Sequence, residues 1–463
     1  MGARWRGGFR DPWLIAALVA GLFVRVLPLL LFLQFECIRD ECIYRTMALD
    51  IANGQGLTLS SKGWLPSPGY PYMLAWSKVA FDSMQPVKGL QIAMSLACIL
   101  LMYGIGKEVS DQRVGRIAAM LFALNPTIAW FTNTMWIETS YIFFLVSSAY
   151  FMLVAWRTNR WSVSAVSGLL LGGAVLFRGV ATYLPPFWIL AAVYPPDGDL
   201  HLRSWWRSAR FRWPHVAAFL ISGVLVVAPY SMYGSRTYGG FMVTDATVGH
   251  VLHLGNNDYP PLTFDFGNGM LTESLYARTR ATGRPFCNRD VPPVLSSRCE
   301  VREAETWILE HPGTFVARIP LRLAQMLNPN SFLTRHLRWG YWPGTPWYVK
   351  EFIAVAIVGF SVGLAVFGTL GAWARARGPY AMMAVGTTLY TLLTIMLMYG
   401  MTRFRLPLEA LWSIYLAVFL ANPRRCLAAL WATPWRLAGA LITIPPVVAL
   451  TLWFLPTGFP VFW

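Results

Sequence analysis

Charge is scarce in this sequence, and acidic charge scarcest. Only 13% of the 463 residues are charged, with 22 Asp and Glu against 38 Lys and Arg, where a soluble domain carries about 25%. A chain so poor in charge, and 56% hydrophobic, belongs in a bilayer rather than in water. The net charge of +16 suggests nucleic acid only until the arginines are located: most fall in short gaps between apolar runs, the signature of membrane topology. Low-complexity tracts and internal repeats are missing, which argues against a solenoid. No cleavable leader is expected, because the apolar run from Trp13 to Phe35 is too long for a signal-peptide core and lacks a small-residue cleavage site. We expect that run to be retained as the first membrane helix. Cysteines number six. Cys37, Cys42, Cys287 and Cys299 are expected on the outer side, with Cys287 and Cys299 either a disulfide across a small loop or free thiols.

Long hydrophobic runs and aromatics are abundant, and the 22 Trp, 19 Tyr and 28 Phe suit many turns at the headgroup level. The runs predict about eleven membrane helices, over 12–35, 86–106, 117–132, 136–156, 162–178, 181–195, 215–232, 350–373, 380–400, 407–421 and 436–454. Arg4, Arg6 and Arg10 put the N-terminus in the cytoplasm by the positive-inside rule. Alternation then lands Arg113, Arg116, Arg157, Arg160, Arg375 and Arg377 inside as well. Three parts follow: residues 1–232, a transmembrane module holding a polar first outer loop at 36–85; residues 233–346, an extracytoplasmic cap; and residues 347–463, the remaining helices. Within the cap, ESLYARTRA and REAETWILEH have helical character. The fold class expected is an all-α polytopic membrane bundle with helices in its outer loops.

The charges that survive beside the runs gather on the outer side. Asp40 and Glu41 follow the first run, Glu138 opens the fourth, Arg178 closes the fifth, and Arg403 and Arg405 follow the ninth on the side where arginine is disfavoured. A transporter would set such groups near the midplane between pseudo-symmetric halves. One outer layer favours chemistry there. Asp40 is read as a general base for an acceptor hydroxyl or amine, being ionised at neutral pH and able only to accept hydrogen bonds; a helix cap or a surface acid paired with Arg39 or Arg45 is its structural alternative. Glu41 has the same two readings and suits the first turn of a helix. Arg403 and Arg405 fit a fork onto phosphate, or snorkelling at the interface. Arg178 is a second anion partner, or pairs with Glu138. Tyr44, Tyr70 and Glu138 are candidates to line a sugar pocket. His250 and His253, three residues apart, lack a convincing third ligand for a metal.

Taken in order, RDECIYRTMALDIANGQGL, PSPGYP, the outer Glu138, GAVLFRGVATYLPP and YGMTRFRLPLEALW resemble the GT-C membrane glycosyltransferases, the superfamily of aminoarabinose transferases and protein O-mannosyltransferases (glycosyltransferase family 39-like). The resemblance implies a polyprenyl-phosphate-linked sugar donor and transfer with inversion on the extracytoplasmic face of the inner (plasma) membrane. The acceptor implied is a lipid, a glycan or a protein. Asp40 matches the family's catalytic carboxylate in the first outer loop. The family often carries a Lys before a Pro-Pro pair where this chain reads PSPGYP, and Lys62 is the nearby substitute. Some relatives hold a divalent metal ion, which no residue set in this chain assigns. The competing readings are a transporter or flippase of a lipid-linked anion, and a ligase using a diphosphate-linked donor.

Overall fold

The computed structural model describes residues 10–31, 37, 40–58, 65–198, 201–258, 287, 291–329, 333 and 346–453. Every regular element among them is helical: α1 (Pro12–Leu31), α2 (Asp40–Ala52), α3 (Gly69–Phe81), α4 (Pro86–Val109), α5 (Gln112–Leu124), α6 (Pro126–Phe131), α7 (Glu138–Thr158), α8 (Trp161–Phe177), α9 (Pro185–Ala192), α10 (Leu202–Thr237), α11 (Val248–Gly255), α12 (Pro293–Glu310), α13 (Pro312–Leu327), α14 (Trp347–Gly363), α15 (Thr369–Arg375), α16 (Pro379–Leu397), α17 (Leu406–Ala421), α18 (Pro423–Trp431) and α19 (Pro434–Leu452). A π-helical turn, Leu364–Gly368, joins α14 to α15. Short 3₁₀ turns at Gly179–Tyr183 and Thr402–Arg405 precede α9 and α17.

Eight helices among the described residues are long and apolar enough to cross a membrane, counting α14 and α15 as one. They account for eight of the expected runs, and the protein is an integral membrane protein. The other three runs are shorter helices, α5, α8 and α9, and local chemistry explains two of them. Asn125 ends the run expected over 117–132: its side chain accepts from the amides of Thr127 and Ile128, each at 3.0 Å, and Pro126 starts a new helix at N1, where its missing N–H costs nothing. Pro185 and Pro186 begin α9 in the same way and leave it eight residues long. In the opposite direction, α10 far exceeds its expected 215–232. Its 36 residues span about 54 Å, well beyond the roughly 30 Å of hydrocarbon, and its first turns expose Trp206, Phe211 and Trp213.

Helices in lipid gain little from hydrophobic burial against each other, so close packing and hydroxyl bonds hold them together. Ser148 and Ser167 exchange hydrogen bonds from each Oγ to the other's carbonyl, both at 2.8 Å, tying α7 to α8. Ser222 of α10 donates to the Ala165 carbonyl at 2.8 Å. At Gly168 the α8 and α10 backbones come so close that a Cβ would lie 2.1 Å from the Phe219 carbonyl oxygen. Gly168→Ala is therefore expected to push the two helices apart and lower stability by about 1–3 kcal/mol, seen as earlier thermal unfolding of the purified protein; an unchanged midpoint would contradict this packing. One buried charge lies in α1: Arg25 donates to Ser95 Oγ at 2.8 Å and to the carbonyls of Gly21 and Ala123 at 2.9 Å.

Beside this bundle, α2 and α3 pack on each other, with α11, α12 and α13 in the segment between the seventh and eighth expected spans. REAETWILEH forms the end of α12, whereas ESLYARTRA lies outside the described residues. Cys287 bonds to Cys299. Cys37 bonds to Cys42, a pairing that sequence reasoning left unassigned, closing a short loop around the start of α2. Cys98 and Cys426 are buried and free.

Candidate active site

A cavity of about 600 Å³ opens where α2, the start of α7, the 3₁₀ turn after α8, the 241–254 segment, α16 and the turn before α17 converge. Local sequence explains why Asp40, Arg178 and Arg403 reach it and why Glu138 lies just behind them. Asp40 is the first residue of α2, where a carboxylate complements the helix dipole. Glu138 opens α7 in the same way. Arg178 sits in extended backbone as the cap that ends α8, and Arg403 lies in the tight turn before Pro407.

Arg403 is the hub of these groups. Its Nη1 donates to Asp40 Oδ2 at 3.0 Å, and its Nε lies 3.9 Å from Glu138 Oε1. Arg178 Nη1 approaches the same Glu138 oxygen at 3.8 Å. Aromatic rings flank both guanidinium groups: the Trp136 ring centre lies 5.1 Å from Arg403, and that of Phe404 lies 4.9 Å from Arg178. Each cation is stabilised by the ring quadrupole and keeps in-plane N–H groups for an anion. Asp40 and Arg403 keep 12% of their side-chain surface exposed, against 1% for Glu138. The first two can meet a reactant, while Glu138 sits behind them as the counter-charge that Arg403 and Arg178 share. Tyr44 also lines the cavity. Burial, reinforced by the negative charge of Asp40, pushes its phenol far above the usual value and keeps it protonated.

The remaining expected site residues lie elsewhere. Glu41 points away from the cavity and accepts the Met135 amide at 2.8 Å, fixing the loop that carries Trp136 and Glu138. Tyr70 is packed edge-on behind Tyr44, with centroids 5.3 Å apart, and donates to Gln91 at 3.0 Å. Arg405 is turned out of the cavity. Its Nε donates to Glu409 at 2.6 Å, whose other oxygen accepts from Asn125 at 2.8 Å. Its Nη1 bonds the carbonyls of Leu327, at 2.9 Å, and Asn328, so it closes the C-terminal end of α13. Arg322 of α13 returns the favour, donating to the carbonyls of Met396 at 2.6 Å and Gly255 at 2.8 Å. These two arginines lock α11 and α13 to α16 and to the loop bearing Arg403.

Lys62 lies outside the described residues. His250 lines the cavity but is 3.7 Å from Glu300. His253 is mostly enclosed, and burial lowers its pKa. Among the described residues no three His, Cys, Asp or Glu side chains gather as a metal-binding group.

Sequence reasoning missed Asp245, Ser67 and the α16 face of Thr387, Tyr390, Thr391 and Thr394, all of which line the cavity. The α16 spacing of three and four residues is a legible helical face. Neutral threonines in an apolar run, however, carry no signal of function.

Residues 66–233 match the family described as dolichyl-phosphate-mannose-protein mannosyltransferase. The fold is similar to that of AglB, the archaeal oligosaccharyltransferase from Archaeoglobus fulgidus, in complex with an inhibitory peptide and a dolichol-phosphate. That similarity has a TM-score of 0.52 at 16% identity and covers 96% of this chain and 56% of that one. The apo form of the Archaeoglobus fulgidus oligosaccharyltransferase is similar with a TM-score of 0.48 at 14% identity, over 95% of this chain and 55% of that one. The chain thus spans just over half the length of these oligosaccharyltransferases. No curated protein matches it. A polytopic helical bundle similar in fold to the archaeal oligosaccharyltransferase, with a mannosyltransferase-family match over residues 66–233 of the 463, fits the GT-C resemblance read from the sequence.

Proposed function

We propose that the protein transfers a sugar from a polyprenyl-phosphate donor to a lipid, glycan or protein acceptor on the extracytoplasmic face of the membrane, with inversion at C1. The observation that carries this reading is the 3.0 Å contact between Asp40 and Arg403 inside one cavity that Arg178 also lines. An acid and two guanidinium groups at one site are what a displacement at an anomeric carbon needs. The acceptor O–H gives its proton to Asp40 as its oxygen bonds to C1, the bond from C1 to the phosphate oxygen breaks, and its electron pair leaves with the phosphate. Arg178 and Arg403 offset the charge that develops there. Backside displacement inverts the centre. The family match and the dolichol-phosphate in the oligosaccharyltransferase of similar fold support a lipid-phosphate donor. Arg405 acts in this reading by holding the loop, and Glu41 by holding the segment that carries Glu138.

The two guanidinium groups in the cavity already face two carboxylates, a balance better suited to one phosphodiester charge than to a diphosphate. Purified protein in lipid nanodiscs, given envelope extract as acceptor, is expected to release lipid from polyprenyl-monophosphate sugars at least about tenfold faster than from the diphosphate equivalents. The reverse preference would favour a ligase, and release from neither would remove the enzymatic reading.

A further inference from the structure

The cavity has a second polar wall that the charge cluster does not use. Asp245 lies there, accepting from Ser67 Oγ at 2.7 Å and from Thr247 Oγ1 at 2.8 Å. Ser67 in turn accepts the Gly179 amide at 2.9 Å, so two other segments, besides its own, fix the carboxylate in place. It packs on the backbone of Gly179, where a Cβ would lie 1.9 Å from Asp245 Oδ2. No lysine or arginine among the described residues pairs with it. Across the same cavity, Thr182 Oγ1 and Thr387 Oγ1 are buried without a hydrogen-bond partner among the described residues, and Thr387 is only 2% exposed. Orphaned hydroxyls of this kind carry a desolvation penalty unless a ligand completes them. The rings of Tyr183 and Tyr390, 5.9 Å apart and tilted, line the cavity as well.

We infer that Asp245, with Thr182 and Thr387, forms the subsite for the hydroxyl groups of the transferred sugar, and that Asp245 decides which sugar is accepted. The inference rests on the donor reading above. A fixed carboxylate with acceptor capacity to spare, two unsatisfied hydroxyls and an aromatic wall match a neutral polyhydroxy ring: hydroxyls donate to the acid, and the ring's C–H face lies on the tyrosines. Position supports the same ligand. Asp245 sits over Gly179, the residue after Arg178, so a group held by Asp245 lies beside a phosphate held by Arg178, as a glycosyl unit joined to that phosphate must. The hydroxyl bonds are made to a charged group, and a site built to receive them rejects sugars that cannot supply them.

The test measures affinities of the full-length protein in nanodiscs for a polyprenyl phosphate carrying no sugar and for its mannosyl, glucosyl, galactosyl and arabinosyl conjugates. The wild type is expected to bind at least one conjugate ten- to a hundredfold more tightly than the bare lipid. Asp245→Asn, which keeps the side chain's shape and the bonds its Oδ1 accepts from Thr247 while its new amide donates to Ser67 Oγ instead of accepting from it, should remove most of that increment and leave bare-lipid affinity unchanged, as should Thr387→Val in smaller measure. Asp40→Asn should retain the increment. An increment that survives Asp245→Asn, an equal loss for bare and glycosylated lipids, or a wild type without preference among the conjugates and the bare lipid would each overturn the assignment. A wild type that binds none of these lipids overturns the donor reading itself, and the subsite with it.

Discussion

Asp40→Asn is expected to reduce sugar transfer by about 10²–10⁴-fold, the contribution of a positioned general base, while donor affinity changes by less than about threefold. The substitution is nearly isosteric. Asparagine can present its carbonyl oxygen to the Arg403 Nη1 that now meets Asp40 Oδ2 at 3.0 Å, so the hub keeps its geometry and loses only the group that takes the proton. An interaction used in the transition state and not in binding lowers turnover without raising KM. Initial rates on a saturating donor, with donor affinity measured in parallel, separate the two quantities. A transporter predicts the opposite pattern, because an acid lining a pathway would change coupling or affinity when neutralised. Retention of more than about a tenth of wild-type transfer would sink Asp40 as the base.

Arg403→Ala should have the second large effect, in two readouts at once. Truncation takes the 3.0 Å guanidinium contact from Asp40 and leaves Glu138, 99% enclosed, with Arg178 alone at 3.8 Å. Removing one partner of a buried pair costs about 3–5 kcal/mol, so the thermal midpoint should fall clearly. Transfer by the protein that remains folded should fall about 10²–10³-fold, the loss seen when one preorganised donor to a developing oxyanion is deleted. Arg403→Lys distinguishes the causes. Its ammonium restores charge but cannot fork between Asp40, Glu138 and a phosphate, nor present a planar face to Trp136. It should recover most of the stability and little of the rate; full recovery of the rate would mean that Arg403 serves only as a counter-charge.

Charge beside apolar sequence made much of this site legible. Asp40, Glu138, Arg178 and Arg403 stand out because a carboxylate or guanidinium next to a membrane run must have a partner, and the structure brings these four together. Arg403 and Arg405 could not be told apart, since both belong to MTRFRLP. In a 3₁₀ turn, with three residues per turn, positions two apart point in different directions, so one arginine enters the cavity and the other caps α13. Asp245 was hidden for the converse reason: in a long polar segment one more acid has nothing apolar to contrast with, and only the fold carries it to Ser67 and Gly179. The helices followed hydropathy except where Asn-Pro and Pro-Pro interrupted it and where α10 continued past its apolar run. Those breaks at Asn125 and Pro185 were written in the residues themselves but outweighed by apolar neighbours.

The mutual capping of Arg322 and Arg405 bears on how such proteins diversify. The segment between α10 and α14 cannot be exchanged as a free cassette, because α13 is closed by an arginine from the loop before α17, and Arg322 of α13 closes the ends of α11 and α16. A graft of foreign sequence over 234–345 would need to bring its own counterpart of Arg322 and a helix end shaped to receive Arg405. Otherwise three sets of main-chain carbonyls would lose their donors together, a few ångströms from the loop on which the chemistry depends.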